Sequence, residues 1–429
     1  MFDLTVIGAG LAGMLAACNA AKAGLKVKVI AQGLGALHWS AGTVDVLGYD
    51  PATGTPVSHP LQAIEALSAA QPAHPYALAG TQALAAALDE FQALAAEAGL
   101  PYAGAATAGE NLWLPSPLGA ARPALLAPKA QLAGALAGAP LLIVGLQGMR
   151  DFFPELIAEN LRRAGHQARA ASLPLELVTT RRDSNNVHLA LALDDPARHA
   201  ALGDALAALL QPGERIGLPA IVGLKEHAAA LAELRARLGV PVFEVPTLPP
   251  SVPGLRLNAA LRGHLQRLGV RLELNAEVTG LHAAGGRLTA VETATSSTRP
   301  RRHEAHSFLL ATGGLLGRGI DSDHAGRVWE TALNLPLAAL PERTAWFRPG
   351  FLDPAGHPLF RSGVAVDRHF QPVDEAGAPV YANLWAAGGI LAHADPVQER
   401  SLEGIAIATG IAAAREIVAT RRPDEEVTS

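Results

Sequence analysis

Glycines 8, 10 and 13 stand in the order Gly8-Ala9-Gly10-Leu11-Ala12-Gly13, a spacing that lets backbone close around a phosphate. Gly8 permits the tight turn, Gly10 lets backbone N–H groups approach an anion, and Gly13 lets a helix pack closely on a strand. The phosphate of such a ligand sits on the helix N-terminus, where orphan N–H groups and the dipole favour negative charge. The flanking residues supply the matching elements. Leu4-Thr5-Val6-Ile7 reads as a strand buried in a parallel sheet. An Ala-rich helical stretch runs to Lys22-Ala23, Gly24 is placed to cap it, and residues 25–30 read as a second strand. Strand, glycine loop, helix and strand make a dinucleotide-binding unit. One part is missing. An acid about 20 positions further on accepts hydrogen bonds from an adenosine ribose, but here Ala31 or Gln32 holds that place. Gln32 can hydrogen-bond a ribose without charge assistance. A cofactor lacking the adenosine half needs no such residue.

Other residues that could do chemistry are scattered. His38 lies in the loop of residues 33–42 and can touch a cofactor, act as a base or pack locally. His393, two residues before Asp395-Pro396, is a second candidate base, and Arg361 and Arg256 are candidate anion binders. No HExxH or paired CxxC spacing occurs, so no metal site is expected. Cys18 is the single cysteine. One thiol excludes an internal disulfide and a Cys-ligated iron–sulfur cluster, which needs several thiolates, and a reducing cytoplasm is the natural compartment.

The elements that must position these groups fill 429 residues, 49% hydrophobic and 17% charged, with a net charge of −5. That balance belongs to a globular chain, and without a basic domain or stripe it argues against nucleic acid as a partner. Lysine occurs only at 22, 26, 28, 129 and 225, so most of the positive charge is arginine. No apolar run is long enough to span a membrane, and the N-terminus lacks the basic region of a signal peptide. Helices are expected over 81–98, 152–164, 196–210, 258–268 and 401–420. Strands are expected over 141–145, 216–223, 270–274, 287–293, 307–314 and 383–389. The proline-rich residues 246–254 cannot be a regular helix or a central strand and mark a crossing back into the first domain. Residues 295–302 read as a hairpin tip and 424–429 as a frayed end. The fold class is therefore α/β: a Rossmann-like domain with a parallel sheet over 1–50 and 250–429, and an inserted α/β cap over 51–249.

Four segments resemble the flavin-binding framework of the succinate dehydrogenase, fumarate reductase and L-aspartate oxidase group: Val6-Ile7-Gly8-Ala9-Gly10, Trp39-Ser40-Ala41-Gly42, Leu309-Leu310-Ala311-Thr312-Gly313-Gly314 and Leu384-Trp385-Ala386-Ala387-Gly388-Gly389. That resemblance implies flavin contacts at Gly8, Gly10, Gly13, Gln32, His38, Ser40, Gly42, Thr312, Gly313, Gly388 and Gly389. It also implies that the helix opening at Ser401-Leu402 points its N-terminus at the flavin N1 edge. Relatives tether the flavin to a histidine of this loop, but the alignment through Trp39 puts His38 off that position, so the flavin is expected to be non-covalent. A narrower resemblance covers nearly the whole chain, through residues 36–45, 144–152, 244–257 and Asp395-Pro396-Val397-Gln398-Glu399. These are similar to the B-subunit family of anaerobic glycerol-3-phosphate dehydrogenases. The resemblance implies an FMN-bearing subunit (FAD being the alternative) that takes part in oxidising a small phosphorylated polyol. It implies an FAD-bearing catalytic subunit and an iron–sulfur membrane-anchoring subunit as partners, and a cytoplasmic location peripheral to the inner membrane. An apolar patch for such partners is expected on the cap. FMN fits the missing acid at Ala31. Arg400-Ser401-Leu402-Glu403-Gly404 departs from the glycine-rich run of that family and looks more like the fumarate reductase group. His38, His393 and Arg361 are the catalytic candidates. Two other readings stay open: an electron-transfer or scaffold subunit that never binds glycerol 3-phosphate, and a stand-alone fumarate-reductase-like dehydrogenase.

Overall fold

The computed structural model describes residues 1–105, 107–181, 183–294 and 299–421. They form two compact units. The first comprises Met1–Ala36, Asp45–Ala98 and the described residues from Ala260 on; the second comprises Leu37–Val44 and Gly99–Ala259.

The first unit is built on a seven-stranded sheet. Phe2–Ile7 lies inside it, parallel to Val27–Ala31 on one side and to Arg301–Leu310 on the other, so that Val6 pairs with both Val29 and Leu309. Arg271–Leu274 continues the parallel order beyond Val27–Ala31, and Leu384–Ala386 pairs with the last residues of Arg301–Leu310. Residues 4, 6, 29, 30, 309 and 310 are almost wholly buried. A parallel strand covered on both faces is selected for this uninterrupted apolar character. The first half of Arg301–Leu310 pairs antiparallel with Arg287–Thr293, which pairs with Val278–Ala284. That hairpin turns at Gly285 and Gly286, with φ of 57° and 72°, the left-handed pair a tight two-residue turn requires. Helices Leu11–Lys22 and Leu402–Arg421 pack side by side; a Cβ on Gly410 would stand 2.7 Å from the Ala12 carbonyl oxygen. Leu402–Arg421 buries Ile405, Ile407, Ile411 and Ile417 around its circumference, as a helix enclosed by its neighbours does.

The second unit holds a four-stranded parallel sheet in the order Val242–Val245, Arg215–Pro219, Leu141–Leu146, Ala168–Leu173. Pro154–Arg163, Pro196–Ala207 and His227–Leu238 are its longer helices, the first two opened by a proline, whose fixed φ and missing N–H suit the first turn.

The α/β class and the Rossmann-like parallel sheet are as expected. The division of the chain differs. Residues 51–98 are expected in the cap, yet Pro60–Ala70, Pro75–Ala79 and Thr81–Glu97 pack in the first unit, where Leu84 and Phe91 are fully buried. Residues 37–44 belong to the second unit instead. The physical reason is the apolar stripe of Thr81–Glu97, which needs a partner surface and finds it in the first unit. The helix expected over 258–268 starts earlier, at Val252, because Pro253 sits in its first turn, where proline is tolerated. The expected hairpin tip (295–298 of it) and the expected frayed end lie outside the described residues.

Candidate functional site

In the first unit, the glycine segments far apart in sequence are close in space. Gly8 has a φ of 115°, and a Cβ there would collide with the Ala311 carbonyl. Gly13 leaves no room for a Cβ against the Gly8 carbonyl. A Cβ on Gly314 would meet the Gly389 carbonyl, one on Gly388 would stand 2.7 Å from Ala12 Cβ, and one on Gly389 would stand 3.2 Å from Leu402 Cδ1. Gly8, Gly13, Thr312, Gly313, Gly388, Gly389 and Leu402 therefore form one cluster at the mouth of the first helix. The Gly388 N–H donates to Thr409 Oγ1 at 2.8 Å, which ties this loop to Leu402–Arg421.

Gly10 differs from its neighbours. Its φ and ψ of −74° and −178° suit any residue, and a Cβ there would meet nothing within 4 Å. It stands at the N-cap of Leu11–Lys22, no side chain caps that end, and the first turn carries no acid. Thr312 Oγ1 is buried without a hydrogen-bond partner. Open space, orphan N–H groups and a first turn without an acid make a cradle for an anion. Ala31 is buried at the end of its strand and Gln32 is exposed beside it.

Arg361 and His393 are brought together. The His393 N–H donates to the Arg361 carbonyl at 2.9 Å, while Val364 and Leu391 form a parallel bridge beside them. Arg361 Nη2 donates to Gln71 Oε1 at 3.1 Å, and its Nε is buried without a partner. Burial, helped by the Arg361 cation and by His74, holds the His393 imidazole below its ordinary pKa. His393 has a φ of 74°, an uncommon conformation for a residue with a Cβ and one that tends to occur where structure serves a site. Asp395, two residues on, caps Pro396–Glu399 through Oδ1, and burial raises its carboxyl pKa.

His38, Ser40 and Gly42 lie in the second unit. The Ser251 N–H donates to the His38 carbonyl at 3.1 Å and Ser251 Oγ donates to the Ser40 carbonyl. Gly42 donates to Ser40 Oγ at 3.1 Å and accepts from Tyr102 Oη at 2.6 Å. The His38 ring packs edge-on to Trp39 at 5.7 Å. The proline-rich stretch thus shapes this loop. Arg256, a candidate anion binder, is instead spent: its Nη1 donates to Glu244 Oε2 at 2.5 Å, and both side chains are buried.

Sequence reasoning missed a buried polar network beside Ser401. His74 Nδ1 accepts the Tyr76 N–H at 3.1 Å, which assigns the ring proton to Nε2, and Nε2 lies 3.3 Å from Glu399 Oε2. Glu399 also accepts Ser401 Oγ–H at 2.8 Å and the Asp395 N–H at 3.0 Å. Tyr76 Oη donates to the Val46 carbonyl at 2.5 Å, and burial holds its phenol well above the ordinary pKa. The Asp395-Pro396 cap with Glu399 one turn on was the only local signal, and nothing near residue 74 pointed to it.

A family model described as FAD binding domain matches residues 3–405. The B subunit of anaerobic glycerol-3-phosphate dehydrogenase from Yersinia pestis is 33% identical over 426 residues, covering 97% of this chain and 98% of that protein. The chain belongs to this B-subunit family. The same protein from Vibrio cholerae is 32% identical over 431 residues, with 98% and 97% covered, and that from Pectobacterium carotovorum is 31% identical over 430 residues, with 97% and 98% covered. Among solved structures, a flavocytochrome c3 fumarate reductase matches 97% of this chain and 78% of its own at a TM-score of 0.45 and 12% identity. Membership makes the chain a flavoprotein subunit of an oxidoreductase, and the uncapped helix, the open space at Gly10 and the partnerless Thr312 hydroxyl fit a phosphate-bearing flavin.

Proposed function

We propose that this chain takes part in oxidising glycerol 3-phosphate to dihydroxyacetone phosphate, and that the electrons reach a quinone through partner subunits. The observation that carries this reading is the relationship to the B-subunit family along 97% of the chain, supported by the glycine cluster at an open helix N-terminus. A bound flavin supplies the acceptor for the hydride that leaves the alcohol carbon. The backbone N–H groups of the first turn, Leu11 to Gly13, hold the cofactor phosphate. Thr312 Oγ1 would find its hydrogen-bond partner on the cofactor, and the N-terminus of Leu402–Arg421, whose first turn carries Glu403, would lie toward the flavin edge that gains negative charge on reduction. Arg361, whose Nε is buried without a partner, would bind the substrate phosphate. His393, neutral at neutral pH, takes the hydroxyl proton on a ring nitrogen. His38 is the second candidate for that step.

The cofactor in this reading is FMN, bound without a covalent link, because Ala31 supplies no carboxylate to an adenosine ribose. The description of the matching family model favours FAD instead. The partners are an FAD-bearing subunit that performs the alcohol oxidation with it and an iron–sulfur subunit that holds the complex at the membrane. A single cysteine cannot ligate a cluster, and among the described residues no helix is long and apolar enough to cross a membrane. Phe351 and Leu352, 89% and 88% exposed, offer apolar contact area in the first unit. In the second unit, where such a patch is expected from the sequence, Leu118, Phe153 and Leu156 are exposed as well.

The deciding assay is glycerol 3-phosphate:dye reduction by the isolated chain and by the chain mixed with an FAD-bearing flavoprotein subunit and a multi-cysteine iron–sulfur subunit. Poor activity alone and a large gain on mixing are expected. Full activity from the chain alone would overturn the partner requirement, and no gain on mixing would overturn the assignment.

A further inference from the structure

The helix His227–Leu238 presents Ala228, Leu231, Ala232 and Arg235 to a cavity of about 140 Å³ in the second unit. Their spacing of three, four and seven residues is one helix face. Leu100, Pro101, Pro128 and Ala130 form apolar wall around the same space. An apolar cavity of about 150 Å³ is enough to hold benzene, so this one accommodates a single six-membered ring.

Its charges are one-sided. Lys129, Arg235 and Arg256 line it, and no carboxylate does. Arg256 is neutralised by Glu244, and Asp194 is engaged with the N–H groups of Leu224, Lys225 and Glu226. Arg235 has no carboxylate partner among the described residues. Its Nε and Nη2 donate to the Val242 carbonyl at 3.0 and 2.7 Å, and Nη2 also donates to the Lys129 carbonyl at 3.1 Å. Burial pushes its pKa down, against a smaller upward pull from the Glu244 carboxylate that Arg256 already holds. Lys129 is exposed and makes no ion pair among the described residues. His227, also in the lining, is lowered to about 4 by burial and by Arg256, so it stays neutral and adds no charge. A partly buried cation that makes no ion pair of its own is relieved when an anion arrives from outside.

We propose that this cavity binds a small organic anion, with a ring-sized apolar body against Leu100, Pro101 and Leu231 and a phosphate or carboxylate at Arg235 and Lys129. It is independent of the reading of the glycine cluster, since none of its residues belongs to it. Such a ligand explains both why the walls are apolar and why their charges share one sign.

The test is calorimetric titration of the flavin-loaded full chain with phenyl phosphate, benzoate, benzyl alcohol and inorganic phosphate. Saturable binding of phenyl phosphate or benzoate is expected, and whichever binds tighter identifies the anionic group. Benzyl alcohol and inorganic phosphate should each bind at least tenfold more weakly. Ala232 is exposed, so Ala232→Phe can fill the cavity without entering the core, and it should abolish binding. Lys129→Gln, also at an exposed position, should weaken binding at least fivefold with flavin content unchanged. Failure of both ring-bearing anions to bind would overturn the proposal. So would inorganic phosphate binding as tightly, or unchanged affinity in Lys129→Gln, which decides the matter should Ala232→Phe not fold.

Discussion

His74 and Glu399 are 325 residues apart, yet His74 Nε2 lies 3.3 Å from Glu399 Oε2 with both side chains fully buried. The pair joins the segment before Pro75–Ala79 to the residues just ahead of Leu402–Arg421, and Ser401 hangs from the same carboxylate oxygen. Glu399 receives three donors and offers none. An amide at this position would set its N–H₂ against both Ser401 Oγ–H and His74 Nε2–H or, flipped, against the Asp395 N–H. Glu399→Gln should therefore cost about 2–4 kcal/mol of stability, seen as a fall in the thermal midpoint. It should also weaken flavin retention, because Ser401 and Leu402 are no longer held. A midpoint equal to that of the native chain would show that this network is dispensable.

Gly8 and Gly10 are two residues apart and should respond oppositely. A side chain at Gly8 meets the Ala311 carbonyl and must also adopt a φ of 115°. Gly8→Ala should then destabilise the fold by about 2–4 kcal/mol or more. Gly10 has open space and an ordinary φ, so Gly10→Val should fold with its midpoint nearly unchanged and lose the flavin. Far-ultraviolet circular dichroism with the flavin absorbance separates the two outcomes. A yellow Gly10→Val protein of native affinity would mean that the phosphate lies elsewhere.

At His393 stability and activity should part. Its left-handed backbone costs a residue with a Cβ about 1 kcal/mol, so His393→Gly should unfold at the same temperature or slightly higher. If His393 takes the hydroxyl proton, the assembled complex should nevertheless lose about 10²–10⁴-fold in kcat with its flavin in place. The pH dependence follows from the direction of its shift. Burial and Arg361 lower the folded imidazole pKa, so the neutral base persists as pH falls, and the acid limb of kcat/KM should lie below the ordinary imidazole value of about 6.5. The same sign applies to stability. The unfolded histidine binds its proton first, so stability is full above about 6.5 and falls as pH drops toward the folded value. Undiminished turnover in His393→Gly would leave His38 as the candidate.

Most of the first unit was legible because its strands are buried on both faces: residues 4–7, 309–311 and 384–386 are apolar runs that no exposed strand needs. The strand Ala168–Leu173 was not legible. Its Ala-Arg-Ala-Ala-Ser-Leu sequence lacks β-branched residues, and it is a strand through its register with Leu141–Leu146. The site divides in the same way. Gly8, Gly13, Gly388 and Gly389 were found because close backbone approach leaves glycine in the sequence. The nearness of Arg361 to His393 depends on the bridge of Val364 with Leu391, and that of His74 to Glu399 on tertiary packing. Neither has a periodicity to read. The cap boundary near residue 98 was missed because the surface on which Thr81–Glu97 buries Leu84 and Phe91 is set by tertiary packing and leaves no local mark.

The proposal of FMN over FAD rests on one buried alanine. Ala31 ends the strand beside the glycine loop, where a carboxylate would meet an adenosine ribose, and it is 4% exposed. Without that carboxylate the adenosine half of FAD loses a charge-assisted pair of hydrogen bonds, worth roughly 1.5–3 kcal/mol. FMN loses nothing. Acid precipitation of the native protein should release a yellow supernatant whose mass is that of FMN, with no colour left in the pellet, since His38 is off the tethering position. Ala31→Glu should leave FMN affinity within about twofold and raise FAD affinity by about tenfold or more, measured by fluorescence titration of the stripped protein. Stoichiometric FAD in the native protein, with no response to Ala31→Glu, would show that Gln32 and backbone groups already serve the ribose.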